Sequence, residues 1–94
     1  MRFTWDSLKA IMNAKKHNVT FEEAAQVFND PLHLSILDHR FSYFEERWIT
    51  LGETHGRRLI VVAHLLFDPE GEEVIRILSA REATQNERQR YENY

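Results

Sequence analysis

Hydrophobic positions follow a helical period over the first third of this chain and a strand period after it. Phe3-Thr4-Trp5 alternates and predicts a short edge strand. Asp6 has the chemistry of an N-cap, and the helix it opens runs to about Lys16. Leu8, Ile11, Met12 and Lys15 fall at i, i+3, i+4 and i+7, so this stripe is expected to face inward with the Lys15 stem extending it. Lys9, Asn13 and Lys16 line another face. Asn18 suits the left-handed residue that ends a helix. Thr20-Phe21-Glu22-Glu23 reads as a capping box, in which Thr20 and Glu23 satisfy each other's backbone donors. The second helix sets Phe21, Ala24, Ala25 and Phe28 on one face and stops at Asn29-Asp30-Pro31. Together the two predict a helical hairpin with one shared apolar side.

From residue 32 the period becomes 2. Leu32–Leu37 reads as a strand, with Leu32, Leu34 and Ile36 on one face, and residues 38–46 as a loop. Arg47–Leu51 alternates again and Gly52–Gly56 turns the chain back. Leu59–Phe67 is continuously apolar and rich in β-branched residues, as a strand buried on both faces would be. Asp68-Pro69-Glu70-Gly71 is a tight-turn sequence. Glu73–Ser79 follows as its partner, with Ile75 and Ile77 on one face and Val74, Arg76 and Leu78 on the other. Thr84-Gln85-Asn86-Glu87 is a second capping box, opening a last helix to about Asn93. Apart from Ala83, Tyr91 and Tyr94 that helix is polar all round, so it belongs on the surface. The fold class is α+β, in a single domain over residues 1–94: an N-terminal helical hairpin packed on an antiparallel β-sheet, then a C-terminal helix. The second sheet face has no evident helical cover, and a ligand or partner is expected there.

Composition narrows the functional classes. With 43% apolar and 29% charged residues the chain is of the globular, folding type. It has no cysteine, which excludes disulfides and thiolate metal sites. Its N-terminus lacks the apolar run of a signal peptide, and Leu59–Phe67 is too short to span a bilayer; a cytoplasmic protein that does not engage membranes is expected. The net charge of −3 argues against a general nucleic-acid binder. The positive charges are gathered, however: Arg76, Arg81, Arg88 and Arg90 share one short C-terminal stretch, and a local basic patch binds phosphate whatever the total charge.

Arg76 lies among aliphatics in a strand, so its guanidinium must reach a carboxylate or an anion; the planar fork fits phosphate bidentately. An ion pair with Glu46 or Glu73 would satisfy it equally well. Arg81 stands just before the last helix, whose free N–H groups also favour anions. Arg88 and Tyr91 share a helix face with Thr84 and Glu87. Lys16-His17 closes the first helix, where a histidine either complements the helix dipole or serves as a general acid or base. His33, His39, His55 and His64 have no metal-ligand spacing, and His64 reads as a satisfied core histidine. No metal and no cofactor are expected. The sequence has no glycine-rich phosphate loop, no GxSxG and no HExxH.

Taken in order, these residues resemble the BrnT family of bacterial type II toxins over nearly the whole chain. The matching blocks are Trp5-Asp6 with Lys9, Asn13 and Lys16-His17; Val19 with Phe21-Glu22-Glu23-Ala24 and Val27-Phe28; Asp30-Pro31, Glu46-Arg47 and Gly52; and Arg76 through Arg81 with Ala83-Thr84, Glu87-Arg88 and Tyr91. The resemblance implies a RelE-like ribonuclease toxin fold, metal-independent RNA cleavage that inhibits translation, and neutralisation by a ribbon-helix-helix, BrnA-like antitoxin in a hetero-oligomer. Promoter DNA would be bound only through the antitoxin complex. The expected catalytic set is Lys16, His17, Arg76, Arg81, Arg88 and Tyr91, with Lys9, Arg47, Arg76, Arg81 and Arg88 on the RNA. Glu82, Gln85 and Asn86 stand where the family is often basic, which weakens the pull on RNA. A catalytically weak homologue, acting mainly as a protein-binding partner in an autoregulatory repressor complex, is the alternative.

Overall fold

The structure, a computed structural model, describes residues 1–40 and 45–93. Residues 41–44 of the expected loop, and Tyr94, lie outside the described residues. In chain order the elements are β1 (Arg2–Thr4), α1 (Ser7–His17), α2 (Phe21–Ala25), β2 (Leu34–Leu37), β3 (Arg47–Glu53), β4 (Leu59–Phe67), β5 (Val74–Glu82) and α3 (Gln85–Asn93). The strands form one sheet in the order β1-β5-β4-β3-β2. The expected antiparallel meander spans β2 to β5, but β1 adds to β5 in parallel, so the sheet is mixed.

One sheet face carries the main core. Val19, Phe21, Ala24 and Val27 from the helical side meet Ile60, Val62, Ile75, Ile77 and Ala80 from the strands, all buried. Phe21 is held edge-on by Trp5, with ring centroids 5.9 Å apart. The segment Gln26–Asn29 tightens from α2 into a 3-10 turn and lies so close to β3 that a Cβ on Gly52 would sit 2.7 Å from Val27 Cγ1. Only glycine fits that approach. On the same face Ser35, Thr50 and His64 form a hydrogen-bonded chain, with 2.7 Å from Ser35 to Thr50 and 2.7 Å from Thr50 to His64. His64 is the satisfied core histidine that the sequence predicts, and burial pushes its pKa down to about 4.

Helix α1 presents its other side to the sheet. Asp6 caps it by accepting from the Lys9 amide, and Asn18 ends it at φ 56°. Its sheet-facing residues are Ala10, Asn13, Ala14 and His17, while Leu8, Ile11 and Met12 are 65%, 55% and 61% exposed. The shared apolar side expected of the hairpin does not form. The reason lies at the edge of β5. Beyond Arg76 that edge has no strand beside it among the described residues, and the Asn13 carboxamide takes the strand's place. Its Nδ2 donates to Ala80 O (2.9 Å) and Val19 O (3.0 Å), and the Ala80 amide donates back to Oδ1 (3.1 Å). Buried backbone groups demand partners, so a small polar face outcompetes a large apolar one.

Arg58 ties the ends of several elements together. Its guanidinium donates to Glu23 (2.6 Å), Glu82 (2.7 Å) and Asn18 O (3.1 Å). Glu23 is thereby drawn off: Thr20 accepts from the Glu23 amide at 3.0 Å, and the Glu23 carboxylate serves Arg58 in place of the expected return bond. The second capping box is complete, with Thr84 and Glu87 each accepting from the other's amide.

Candidate functional site: an arginine-bearing sheet face

A single extra residue decides which arginines share a face. β4 and β5 pair with Ala63 opposite Ser79 and His64 opposite Ile77, leaving Leu78 as an unpaired bulge. A bulge shifts the side-chain alternation by one. Leu78, expected on the Arg76 face, is the residue that absorbs the shift. Past it, Ala80 turns to the core while Ser79 and Arg81 join Arg76 on the opposite face, beside Ala63 and Val61. From β3 the same register brings Arg47, Ile49 and Leu51 to that face.

Here a pocket of about 290 Å³ forms, lined by His17, Asp38, Arg40, Arg47, Ser79 and Arg81 over a floor that includes Ile49, Val61 and Ala63. His17 reaches it because it follows Asn13 by one helical turn, and Asn13 fixes α1 against Ala80. Asp38, buried at the end of β2, lies 3.9 Å from Arg47 and 3.2 Å from Arg40. The Arg40 side-chain hydrogen bond is the main reason that its pKa is lowered. Arg81 is held by the C-terminal helix: its two Nη atoms donate to the Glu87 carboxylate at 2.8 and 3.0 Å. That bidentate contact, helped by the Thr84 amide, pulls Glu87 down to about 2, so the pair is fully ionised at neutral pH.

Of the residues singled out by sequence, the pocket gathers His17, Arg47 and Arg81. Arg76 is on the same face but farther along β5, opposite Thr4 and Leu65. It makes no hydrogen bond or ion pair among the described residues; the Asp6 carboxyl, held below its ordinary pKa chiefly by the Lys9 amide, feels the Arg76 charge only as the least of its influences. Lys9 and Lys16 are exposed on α1, and Arg88 is exposed on α3; none of the three lines the pocket. Tyr91 points inward from α3, packs beside Leu51, Leu59 and Val61, and donates to Asp30. Burial first, then the Asp30 carboxylate, raises the Tyr91 pKa. The face expected to lack helical cover is therefore partly covered by α3 at the β3 end. Asp38, Arg40 and Ser79 were not foreseen at the site: the first two follow β2 with no motif, and Ser79 depends on the bulge. Among the described residues no group of three or more His, Asp or Glu side chains is placed to hold a metal.

The fold is α+β with a mixed five-stranded sheet, its main core on the helix-covered face and Arg47, Arg76 and Arg81 on the other. Residues 5–87 match the family described as the ribonuclease toxin, BrnT, of type II toxin–antitoxin systems, and the chain belongs to that family. The crystal structure of the Brucella abortus ribonuclease toxin, BrnT, has the same fold: the TM-score is 0.64 at 24% sequence identity, covering 90% of this chain and 99% of that one. No curated relative matches the sequence. Membership brings an RNA substrate and an antitoxin partner with it. No helix among the described residues is long and apolar enough to cross a membrane.

Proposed function

We propose that this toxin, with the RelE-like fold its family resemblance suggests, is a metal-independent endoribonuclease that inhibits translation, with the pocket at His17, Arg47 and Arg81 as its working centre. The observation that carries this reading is the Leu78 bulge, which sets Arg81 and Ser79 beside His17 and Arg47 on one pocket. Cleavage without a metal needs a base for the ribose 2′-hydroxyl, an acid for the leaving 5′-oxygen and cations on the phosphorane. The 2′-oxygen attacks phosphorus as its proton is taken, the P–O5′ bond breaks as that oxygen is protonated, and a 2′,3′-cyclic phosphate remains. His17 is placed for proton transfer, with Lys16 beside it in sequence. Arg81 and Arg47 face the scissile phosphate; Arg76, Arg88 and Lys9 hold flanking phosphates. Tyr91, its hydroxyl committed to Asp30, supports α3 over the site. A ribbon-helix-helix antitoxin neutralises the toxin and carries the complex to promoter DNA.

One observation favours a second reading. Glu87 already occupies the Arg81 fork, as a structural ion pair would, which fits a weakly active homologue serving mainly in a repressor complex. Purified toxin mixed with RNA in EDTA separates the two. Cleavage with cyclic-phosphate ends is expected, reduced about 100-fold or more by His17→Ala or Arg81→Ala. No cleavage, with or without ribosomes, would sink the ribonuclease reading for this chain.

A further inference from the structure

The outer side of α1 is unexplained by the fold. Its inward side is complete, with Asn13 bonded to the β5 edge and Ala10 packed on the core. Outward, Leu8, Ile11 and Met12 stand at i, i+3 and i+4 and keep 65%, 55% and 61% of their surface in water. Lys9, Lys15 and Lys16 are exposed around them, and Ser7–His17 contains no Asp or Glu. A helix with three lysines and no acid, in a chain of net charge −3, is a local reversal of sign. Scattered exposed apolar residues are ordinary. Three large ones on a single helical face, ringed by cations, match the anchor spacing by which one amphipathic helix receives another. A bilayer surface fits less well, because the apolar row spans little more than one turn and has no aromatic anchor.

We propose that this face of α1 is a docking surface for an acidic amphipathic segment of the antitoxin. Its apolar side lies on Leu8, Ile11 and Met12, and its carboxylates meet Lys9, Lys15 and Lys16. Charge complementarity sets the orientation and speeds the encounter, and the apolar row supplies the contact. The antitoxin follows from family membership; only the consequence for activity rests on the proposed function. Because α1 ends in His17 at the pocket, a segment lying along α1 ends at the mouth of the site.

The test is titration calorimetry of the full chain with its co-expressed antitoxin at low and high salt, with RNA cleavage read in parallel. Ile11→Glu is expected to weaken binding at least about tenfold, as losing an interface anchor does. Lys15→Glu is expected to weaken it at low salt and to flatten the salt dependence. Both positions are solvent-exposed, so unchanged thermal melting confirms that the variants fold. Calorimetry needs no catalysis, so an inactive toxin leaves the binding result intact. Wild-type affinity in Ile11→Glu overturns the proposal. It is equally overturned if Ile11→Glu spares the antitoxin but abolishes binding to phosphatidylglycerol vesicles, or abolishes self-association by sedimentation; the face would then belong to a membrane or to a second copy.

Discussion

The two faces of the sheet are built on different physics. On the helix-covered face, Phe21, Val27, Ile60, Val62 and Ile77 are all but inaccessible to water, and the polar groups among them, Asn13, Thr50 and His64, are hydrogen-bonded. On the arginine face a smaller cluster of Leu51, Leu59 and Val61 is covered by α3, which is fastened by polar contacts from Glu87 to Arg81 and from Tyr91 to Asp30. Burial of apolar surface is the dominant stabilising term, whereas partly exposed ion pairs contribute little. Stability is therefore concentrated on one side, which leaves the charges on the other free to change partner.

The harshest way to break that division is at its seam. Asn13→Ala removes both partners of Ala80 and one of Val19 O, leaving three buried backbone groups without it, each costing about 1–3 kcal/mol where nothing replaces the bond. A loss of about 2–4 kcal/mol is expected from urea unfolding, a large share of a typical domain's stability. Arg88→Ala on exposed α3 should stay within about 0.5 kcal/mol. Equal losses from the two variants would show that the faces do not differ in this way.

A second prediction uses pH. His64 is neutral when folded, with a pKa of about 4 against an ordinary 6.5, because burial disfavours its cation. The folded pKa is depressed, so stability is fully present above about pH 6.5 and falls as the pH drops towards about 4. At about 1.36 kcal/mol per pH unit the loss is at most about 3 kcal/mol. Urea midpoints measured from pH 7 to pH 4 should decline more steeply in the wild type than in His64→Gln, since carboxylate titration is common to both. Parallel slopes would remove His64 as the cause.

How much of this was legible in the sequence follows from what each feature depends on. The four strands expected between Leu32 and Ser79, the caps at Asp6, Thr20 and Thr84, and the core histidine are local patterns, and the structure has them. The strand ends differ: β2 starts only at Leu34, with Leu32 left exposed, and β5 runs on to Glu82. The inward side of α1 is not local. Periodicity shows that the helix has two sides, but Asn13 wins the inward position because Ala80, 67 residues away, has unpaired backbone groups. β1 runs parallel to β5 for a similar reason, since its partner lies some seventy residues further on. The site itself turns on the Leu78 bulge. Strict alternation from Arg76 places Arg81 in the core, and nothing in the Arg76–Arg81 segment marks the extra residue. Nearness in sequence does not keep the C-terminal arginines together: Arg81 lines the pocket beside Arg47, Arg76 lies farther along β5, and Arg88 is exposed on α3 outside it.

A smaller effect than the loss of Asn13 or the titration of His64 sharpens the comparison most, because it acts on the contact that links α3 to the arginine face. Glu87→Gln keeps the shape and an oxygen acceptor for the Thr84 amide but loses the charge paired with Arg81. Both partners are partly exposed, so the cost is about 0.5–1 kcal/mol after screening, or a melting temperature lower by about 4 °C. The sign with pH is definite. Glu87 has its pKa lowered from 4.5 to about 2, so its contribution is present above about pH 4.5 and lost as the pH falls through about 2; the variant should lack that component in acid melts. RNA affinity is the informative readout. If Arg81 serves phosphate, removing its internal carboxylate should tighten binding of a short RNA oligonucleotide even as the protein melts earlier. A lower melting temperature with unchanged RNA affinity would instead make the Arg81–Glu87 pair purely structural, and the second reading of the function would gain.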